Sequence, residues 1–322
     1  MTGTDKSTWH DARPVALVGA GSIGIGWAIV FARAGVPVRL FDVNPALLAS
    51  VPTTVRSRLQ ELADNGLLDD DVEVVLARIS ITPSLSDALE DAIHVQENVI
   101  EDKGVKASLF ADLDRLAAPD AVLASSTSSI PVSEFASDLA GRGRCLVAHP
   151  ANPPHLLPIV ELVPSSWTHD GVVEQCREMM QAVGQEPVTL TREITGFVYN
   201  RLQGAVLREA YSLLRDGIMS VEEIDQVMTA GLGLRWSVVG PFETADLNYR
   251  GGLREHARRM AANYQKMAAQ RGQIDVWEDD LVAEADWQRR ALIPMDQWSE
   301  RVAWRDKALM GVMAERRKRL RR

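Results

Sequence analysis

Cysteine is nearly absent from this chain of 322 residues: Cys145 and Cys176 are the only two. Two thiols cannot frame a disulfide-stapled exported domain, so the reading is a pair of reduced, buried thiols in a cytoplasmic protein. Long hydrophobic runs are missing as well. No stretch approaches the ~20 apolar residues that a helix needs to cross a bilayer, which removes a membrane partner. The opening segment MTGTDKSTWHDARP has neither a basic start nor an apolar middle, so no export signal is expected in it. Positive charge is in deficit: Lys and Arg number 35 against 44 Asp and Glu, a formal net charge of −9. That balance excludes a general nucleic-acid surface. The one basic concentration, Arg316 to Arg322, reads as a positive helix end that complements the macrodipole rather than as an arm for an acidic partner. Repeats and low-complexity linkers are lacking too, and no metal site is assigned.

What is present is enough apolar material, 46% of residues, to build real cores at a length that suits two domains. The first part alternates strand-like runs (15–20, 36–43, 94–99, 121–126, 145–148) with helical patterns (27–34, 106–116, 133–139). Further strands are expected at 160–163 and 187–190. Alternation of this kind implies an α/β Rossmann-type domain with a mostly parallel sheet covered by helices. Beyond about Thr191 the pattern turns helical. Phe197, Leu202, Val206, Ala210 and Leu213 recur at helical spacing, and Ser220-Val221-Glu222-Glu223 has the form of a capping box. The expected division is residues 1–192 for the Rossmann-type domain and 193–322 for an all-α domain.

Val15-Ala16-Leu17-Val18 runs directly into Gly19-Ala20-Gly21-Ser22-Ile23-Gly24. In such a turn the first glycine permits the tight bend and the second lets the backbone approach a pyrophosphate. The third allows close packing of helix on strand. Ser22 and Ile23 would then lie at a helix start whose free N–H groups face the anion. Asp42 falls at the end of the second strand-like run, 18 residues beyond Gly24. A carboxylate there accepts hydrogen bonds from a ribose and repels a 2′-phosphate, so the expected cofactor is NAD rather than NADP.

Four further segments follow in order: Ser125-Ser126-Thr127-Ser128-Ser129, then Ala148-His149-Pro150-Ala151-Asn152-Pro153-Pro154. Val160-Glu161-Leu162-Val163-Pro164 and Gly196-Phe197-Val198-Tyr199-Asn200-Arg201 complete the set. Singly, each has a plain reading as a turn residue, a paired carboxylate, a cap or a polar point on a helix. In this order, behind a dinucleotide turn, the set resembles the L-3-hydroxyacyl-CoA dehydrogenase superfamily, nearest its L-gulonate 3-dehydrogenase and lambda-crystallin branch. The resemblance extends to about Asn248. It implies His149 as general base and Glu161 as the carboxylate that orients it, with Ser128 and Asn200 bonding the reacting oxygen. It further implies Glu101, Lys106, Ser128 and Asn152 as cofactor contacts, NAD binding by residues 1–192, and substrate binding and homodimerisation by residues 193–322. An imidazole suits the base role, its ordinary pKa of ~6.5 lying near working pH.

For the substrate, the stretch Glu61 to Asp71 carries five acids and no lysine. It lies where acyl-CoA members of the superfamily carry a basic hairpin for the nucleotide tail, and with only Arg56 and Arg58 upstream it is a poor receiver of phosphate. The segment from Gly231 to Phe242 places Arg235 among glycines and apolar residues. Arg235 is the candidate partner for the carboxylate of a small free 3-hydroxy acid, against a plainer role as a surface ion pair or cap. The expected activity is NAD-dependent oxidation of such an acid at its 3-hydroxyl, L-gulonate first. A 3-hydroxyacyl-CoA ester and carnitine are the rival substrates, and a catalytically silent NAD-binding structural protein is the rival class.

Overall fold

The computed structural model describes residues 13–237, 239–250, 252–271, 280, 287, 290, 291 and 294–320. The opening segment through Ala12, Val238 and the end of the basic tail lie outside these residues. The chain divides into two compact units, Met1–Arg201 together with Trp304–Arg322, and Leu202–Ala303.

The first unit is built on one sheet. Its strands are β1 (Val15–Val18), β2 (Val38–Phe41), β3 (Ile79–Thr82), β4 (His94–Glu97), β5 (Val122–Ser125), β6 (Cys145–Pro150), β7 (Ile159–Pro164) and β8 (Glu186–Thr189). They lie side by side in the order β3-β2-β1-β4-β5-β6-β7-β8. All neighbours pair in parallel except β6 with β7. The exception has a simple cause. The connection from Ala151 to Pro158 is too short for the crossover of about a dozen residues that a parallel return requires. β3 is the strand that the sequence pattern did not show, a four-residue edge strand with two exposed positions.

The helices of this unit are α1 (Ser22–Arg33), α2 (Pro45–Asp64), α3 (Val72–Leu76), α4 (Leu85–Leu89), α5 (Lys103–Leu116), α6 (Ser133–Ala136) and α7 (Asp170–Ala182). Their starts are chemically marked. Asn44 caps α2 through its Oδ1, which accepts the Ala46 N–H at 2.9 Å, and Asp102 Oδ1 caps α5 by accepting the Val105 N–H at 2.8 Å. Residues alternate across the sheet into two cores. Val15, Leu17, Val122, Ala124, Leu146 and Ala148 meet α1 and α2 on one face. Ala16, Val18, Val95, Leu123 and Val147 meet Phe110 and Phe135 on the other. α1 is embedded, every residue from Gly24 to Ala32 being buried. Trp27 and Phe31 are fully covered, each such ring contributing roughly 2–3 kcal/mol of burial.

The helical unit begins within α8 (Tyr199–Arg215) and continues through α9 (Val221–Val227), α10 (Gly233–Trp236), α11 (Pro241–Leu247) and α12 (Gly252–Ala269). The capping box at Ser220 and Glu223 is present in both directions. A last helix, α13 (Trp298–Leu320), returns to the first unit, where Met310 joins the α1–α2 core.

Candidate active site

The order of strands reverses between β1 and β4, and at such a point the carboxyl ends of two strands part and leave a crevice. The glycine turn lies at the end of β1. Gly19 adopts φ +106°, and a Cβ there would come within 2.7 Å of the Asn98 carbonyl oxygen. A Cβ on Gly24 would stand 1.9 Å from the Gly19 oxygen. Gly21 is different in kind. Its φ is an ordinary −70°, and a Cβ would meet nothing within 4 Å. Neither backbone nor packing demands a glycine here, so the space it leaves fits a pyrophosphate drawn close to the main chain. Gly21 also caps α1 without a side chain, leaving the first-turn N–H groups of Ser22, Ile23 and Gly24 as donors for an anion. Asp42 closes the edge of this turn. Its Oδ2 accepts the Ala20 N–H at 2.7 Å and its Oδ1 the Asn44 N–H at 2.8 Å. One lone pair on each oxygen stays free for a ribose.

Beyond β4 lies a chain of charge. Lys106, 1% exposed, directs Nζ to both oxygens of the fully buried Glu97 at 2.9 and 3.0 Å, and to Glu101 Oε2 at 3.6 Å. Glu97 also accepts the Ser125 hydroxyl at 2.5 Å and the Val99 N–H at 2.7 Å. Glu101 Oε1 gathers the serine-rich loop: it accepts the Thr127 hydroxyl at 2.6 Å, the Ser128 N–H at 3.0 Å and the Ser129 N–H at 3.1 Å. Burial works to raise the Glu101 pKa. The Thr127 hydrogen bond, the Lys106 charge and the Ser129 bonds outweigh it and hold the carboxyl below its ordinary value. The structure thus places Lys106 against carboxylates rather than at a surface.

The antiparallel pair β6–β7 sets His149 directly opposite Glu161. Both are buried, and His149 Nδ1 lies 2.8 Å from Glu161 Oε2. An ionised carboxylate offers only lone pairs, so Nδ1 carries the proton and Nε2 is the basic nitrogen. The other oxygen, Oε1, accepts the N–H groups of Val198 and Tyr199, each at 2.8 Å. Those two groups are aimed by the preceding turn, where Gly196 and the fully buried Phe197 have φ of +74° and +49°. A bulky residue held in the left-handed region marks a conformation that its surroundings impose. Burial favours the protonated form of Glu161, but the His149, Tyr199 and Val198 hydrogen bonds prevail and lower its pKa. Phe197 and Tyr199 flank the imidazole at ring distances of 5.5 and 6.4 Å.

Asn200, at the start of α8, donates from Nδ2 to the Ser128 carbonyl at 2.8 Å, which ties that helix start to the serine loop. Asn152 follows β6 and is itself exposed, on a turn whose neighbouring residues, Ala151 and Pro153 to Leu156, are buried. Arg235 is exposed on α10 in the other unit, with no acidic partner among the described residues. Sequence reasoning missed Glu97, Gln96 and Ser126, all packed around β4 and the serine loop. The available signal was the fully buried run His94–Glu97, three polar residues of four in a central strand. A cleft of about 520 Å³ lies elsewhere, against α7 and the ends of β7 and β8. Among the described residues no cluster of metal-ligating side chains occurs, and no helix is long and apolar enough to cross a membrane.

A dinucleotide turn at a reversal point, with a carboxylate-oriented imidazole on a neighbouring strand pair, defines an NAD-linked oxidoreductase that acts on an alcohol carbon. Residues 14–194 match the NAD binding domain of 3-hydroxyacyl-CoA dehydrogenase, and residues 196–291 match its C-terminal domain. The chain belongs to the 3-hydroxyacyl-CoA dehydrogenase family. It is 39% identical over 300 residues to a lambda-crystallin homolog of Bos taurus, covering 92% of this chain and 93% of that protein. It is 37% identical to an L-carnitine dehydrogenase of Streptomyces griseus, over 73% of this chain and 69% of the other. Among solved structures, it resembles an NAD+-dependent dismutase, 5-formyl-3-hydroxy-2-methylpyridine 4-carboxylic acid 5-dehydrogenase. That similarity has a TM-score of 0.81 at 26% identity and covers 94% of this chain and 98% of that one.

Proposed function

We propose that the protein oxidises the 3-hydroxyl of a small free 3-hydroxy acid with NAD, L-gulonate before others, giving the 3-oxo acid. The observation that carries the chemistry is the His149–Glu161 pair with its second carboxylate oxygen held by two backbone N–H groups. His149 Nε2 takes the hydroxyl proton, and Glu161 steadies the imidazolium that results. Ser128 and Asn200 bond the reacting oxygen. NAD, when bound, accepts the hydride. Gly21, the start of α1 and Asp42 hold its pyrophosphate and ribose, while Glu101, Lys106 and Asn152 support its nicotinamide side.

Preference for a free acid over a CoA ester rests on the region after β2. Arg56 is committed to Glu73, Nε to Oε1 at 2.7 Å, and Arg58 is half-buried with Asp306 and Glu61 as its nearby acids. Neither guanidinium stands ready for a nucleotide phosphate. Arg235, exposed and unpaired among the described residues, is assigned the carboxylate of the acid. The likeness to a carnitine dehydrogenase and to a pyridine-carboxylic-acid dehydrogenase supports this direction. The family's characteristic ester is the second reading, favoured by the family match itself.

We also take the protein to be a cytoplasmic homodimer that divides near residue 192. Cys145 and Cys176 are buried, free thiols. The helices α9 to α12 bury none of their residues within one chain, and Ile218, Leu234, Phe242 and Leu247 are each more than 60% exposed. A second copy in an isologous contact would cover these faces.

The test is NADH formation from NAD with L-gulonate, L-carnitine, 3-hydroxybutyrate and L-3-hydroxybutyryl-CoA. Turnover of a free acid, with a raised KM in Arg235→Ala, is the expected result. Turnover of the ester alone overturns the substrate assignment. NADH binding with no turnover of any of the four points to a silent structural protein. His149→Gln should bind NADH and lose turnover, and sedimentation as a monomer at high concentration removes the dimer.

A further inference from the structure

β5 ends at Ser125, whose register partner on β6 is Val147. β6 runs on to Pro150, so the carbonyl of Ala148, the residue immediately before His149, has passed the last β5 partner. A buried carbonyl at such a place still needs a donor. It is supplied from two strands away: Gln96 of β4 donates from Nε2 to the Ala148 oxygen at 3.0 Å. The same Nε2 donates to the Ser126 hydroxyl at 2.7 Å. Trp27 of α1 also donates to that hydroxyl, Nε1 to Oγ, at 3.0 Å, and Ser126 in turn donates to Asn98 Oδ1 at 2.8 Å.

Two groups in this network have no choice of role. An indole N–H can only donate and a peptide carbonyl can only accept, and together they fix every other proton. Ala148 makes the near group of Gln96 its NH2, so Gln96 Oε1 faces His94 Nε2 at 2.9 Å and accepts from it. Ser126, receiving two donors, has its own proton left for Asn98. Asn98 Nδ2 donates to the Gln96 carbonyl at 2.8 Å, and the Asn98 main-chain oxygen is what a Cβ on Gly19 would strike. Gln96, His94 and Ser126 are buried or nearly so, and Phe31 packs on His94 at 5.9 Å between ring centres. One hydrogen-bonded assembly therefore touches α1, the backing of the glycine turn, the serine loop and the peptide preceding His149.

We infer that Gln96, with Ser126 as its junction, is a positioning residue that holds the His149 segment of β6 at a fixed distance from the dinucleotide turn. It touches neither substrate nor cofactor. It acts by standing in for the missing β5 rung, so that the base and the hydride acceptor are set by one rigid frame. The inference rests on His149 being the base. Misplacement of a reacting group by about 1 Å costs on the order of 100-fold in rate, with little effect on ligand affinity.

The test is Gln96→Leu, a near-isostere with no donor, with Ser126→Ala as the milder second variant in which the Gln96–Ala148 bond is retained. The alcohol that turns over in the substrate panel is used with and without deuterium at the carbon that loses hydride. For Gln96→Leu, the expected result is kcat lower by roughly 10–100-fold, a larger deuterium isotope effect on kcat, and NADH affinity within about threefold of the parent. Ser126→Ala should move in the same direction by a smaller factor. A merely structural role would lower the melting temperature while leaving kcat per folded molecule and the isotope effect unchanged, and that outcome overturns the inference. Should Gln96→Leu fail to fold, unchanged kcat and isotope effect in Ser126→Ala overturn it alone. His149→Gln separates the two layers. If it abolishes turnover while Gln96→Leu keeps parental kinetics, the base stands and the positioning falls; if His149→Gln still turns over, both fall.

Discussion

Replacing Glu161 by glutamine changes one atom's chemistry and almost none of its shape, so it isolates what the carboxylate does. Oε1 holds the Val198 and Tyr199 N–H groups, and a carboxamide oxygen placed there accepts both. The fold should therefore persist. On the other side an amide NH2 would replace the oxygen that now lies 2.8 Å from His149 Nδ1. Two donors cannot face each other, so the imidazole must move its proton to Nε2, the atom proposed as base. The attraction between carboxylate and imidazolium is lost as well, about 4 kcal/mol for unit charges about 4 Å apart at an effective dielectric of about 20. That energy is about three decades of rate, in line with the ~10⁴-fold cost of the corresponding change in a Ser-His-Asp triad. We expect Glu161→Gln to lower kcat by about 10³-fold, with NADH affinity and melting temperature close to the parent. Steady-state NADH formation and a thermal melt on one preparation measure all three. A kcat within about tenfold of the parent would refute the role of Glu161 in setting the tautomer.

Gly21→Ala should melt like the parent, since a Cβ there meets nothing within 4 Å at φ −70°, yet bind NADH at least several-fold more weakly. Gly24→Ala, with its Cβ 1.9 Å from a carbonyl oxygen, should be destabilised first, and equal melting of the two would contradict the reading of the turn. Lys106→Met leaves the fully buried Glu97 without its cation and should cost about 3–5 kcal/mol in a urea titration; a loss below about 1 kcal/mol would show that the pair is dispensable. Burial lowers the His94 pKa to about 4, below its value near 6.5 in the unfolded chain. Its contribution is thus fully present above pH 6.5 and is lost as pH falls through about 4, roughly 2–3 kcal/mol by pH 4.5. His155, lowered to about 3 chiefly by burial, acts with the same sign. His94→Gln should flatten the stability–pH curve between pH 6.5 and 4.5, and an unflattened curve would assign the acid sensitivity elsewhere.

The strands and the glycine turn were legible because their signals are local: apolar runs, a glycine spacing, an acid at the end of a strand. Alternating strands and helices announced the parallel sheet. β3 escaped because an edge strand half in solvent has no apolar run to show. The start of α1 at Ser22 was carried by the glycine spacing, while the apolar pattern showed the helix only from Trp27 onward. His149 and Glu161 were readable through their order along the chain, whereas their direct opposition depends on an antiparallel pairing that no local pattern encodes. Gln96 was read as part of the strand-like run 94–99, and Ser126 as part of a serine-rich loop. What distinguishes them is a carbonyl two strands away, a long-range fact that the residues themselves do not announce.

The opposition of His149 and Glu161 also governs how such an enzyme can change its length. Directly facing residues on an antiparallel pair keep their Cβ atoms about 5 Å apart whatever their neighbours are. A slip of one residue would turn the glutamate to the other side of the sheet. An insertion between Ala151 and Pro158 is harmless only if the turn absorbs all of it. Natural variation must therefore hold the two strands to an unbroken count, and it has little room in the turn between them, where Pro153 to Leu156 are buried and Leu156 joins the core around α1 and α2.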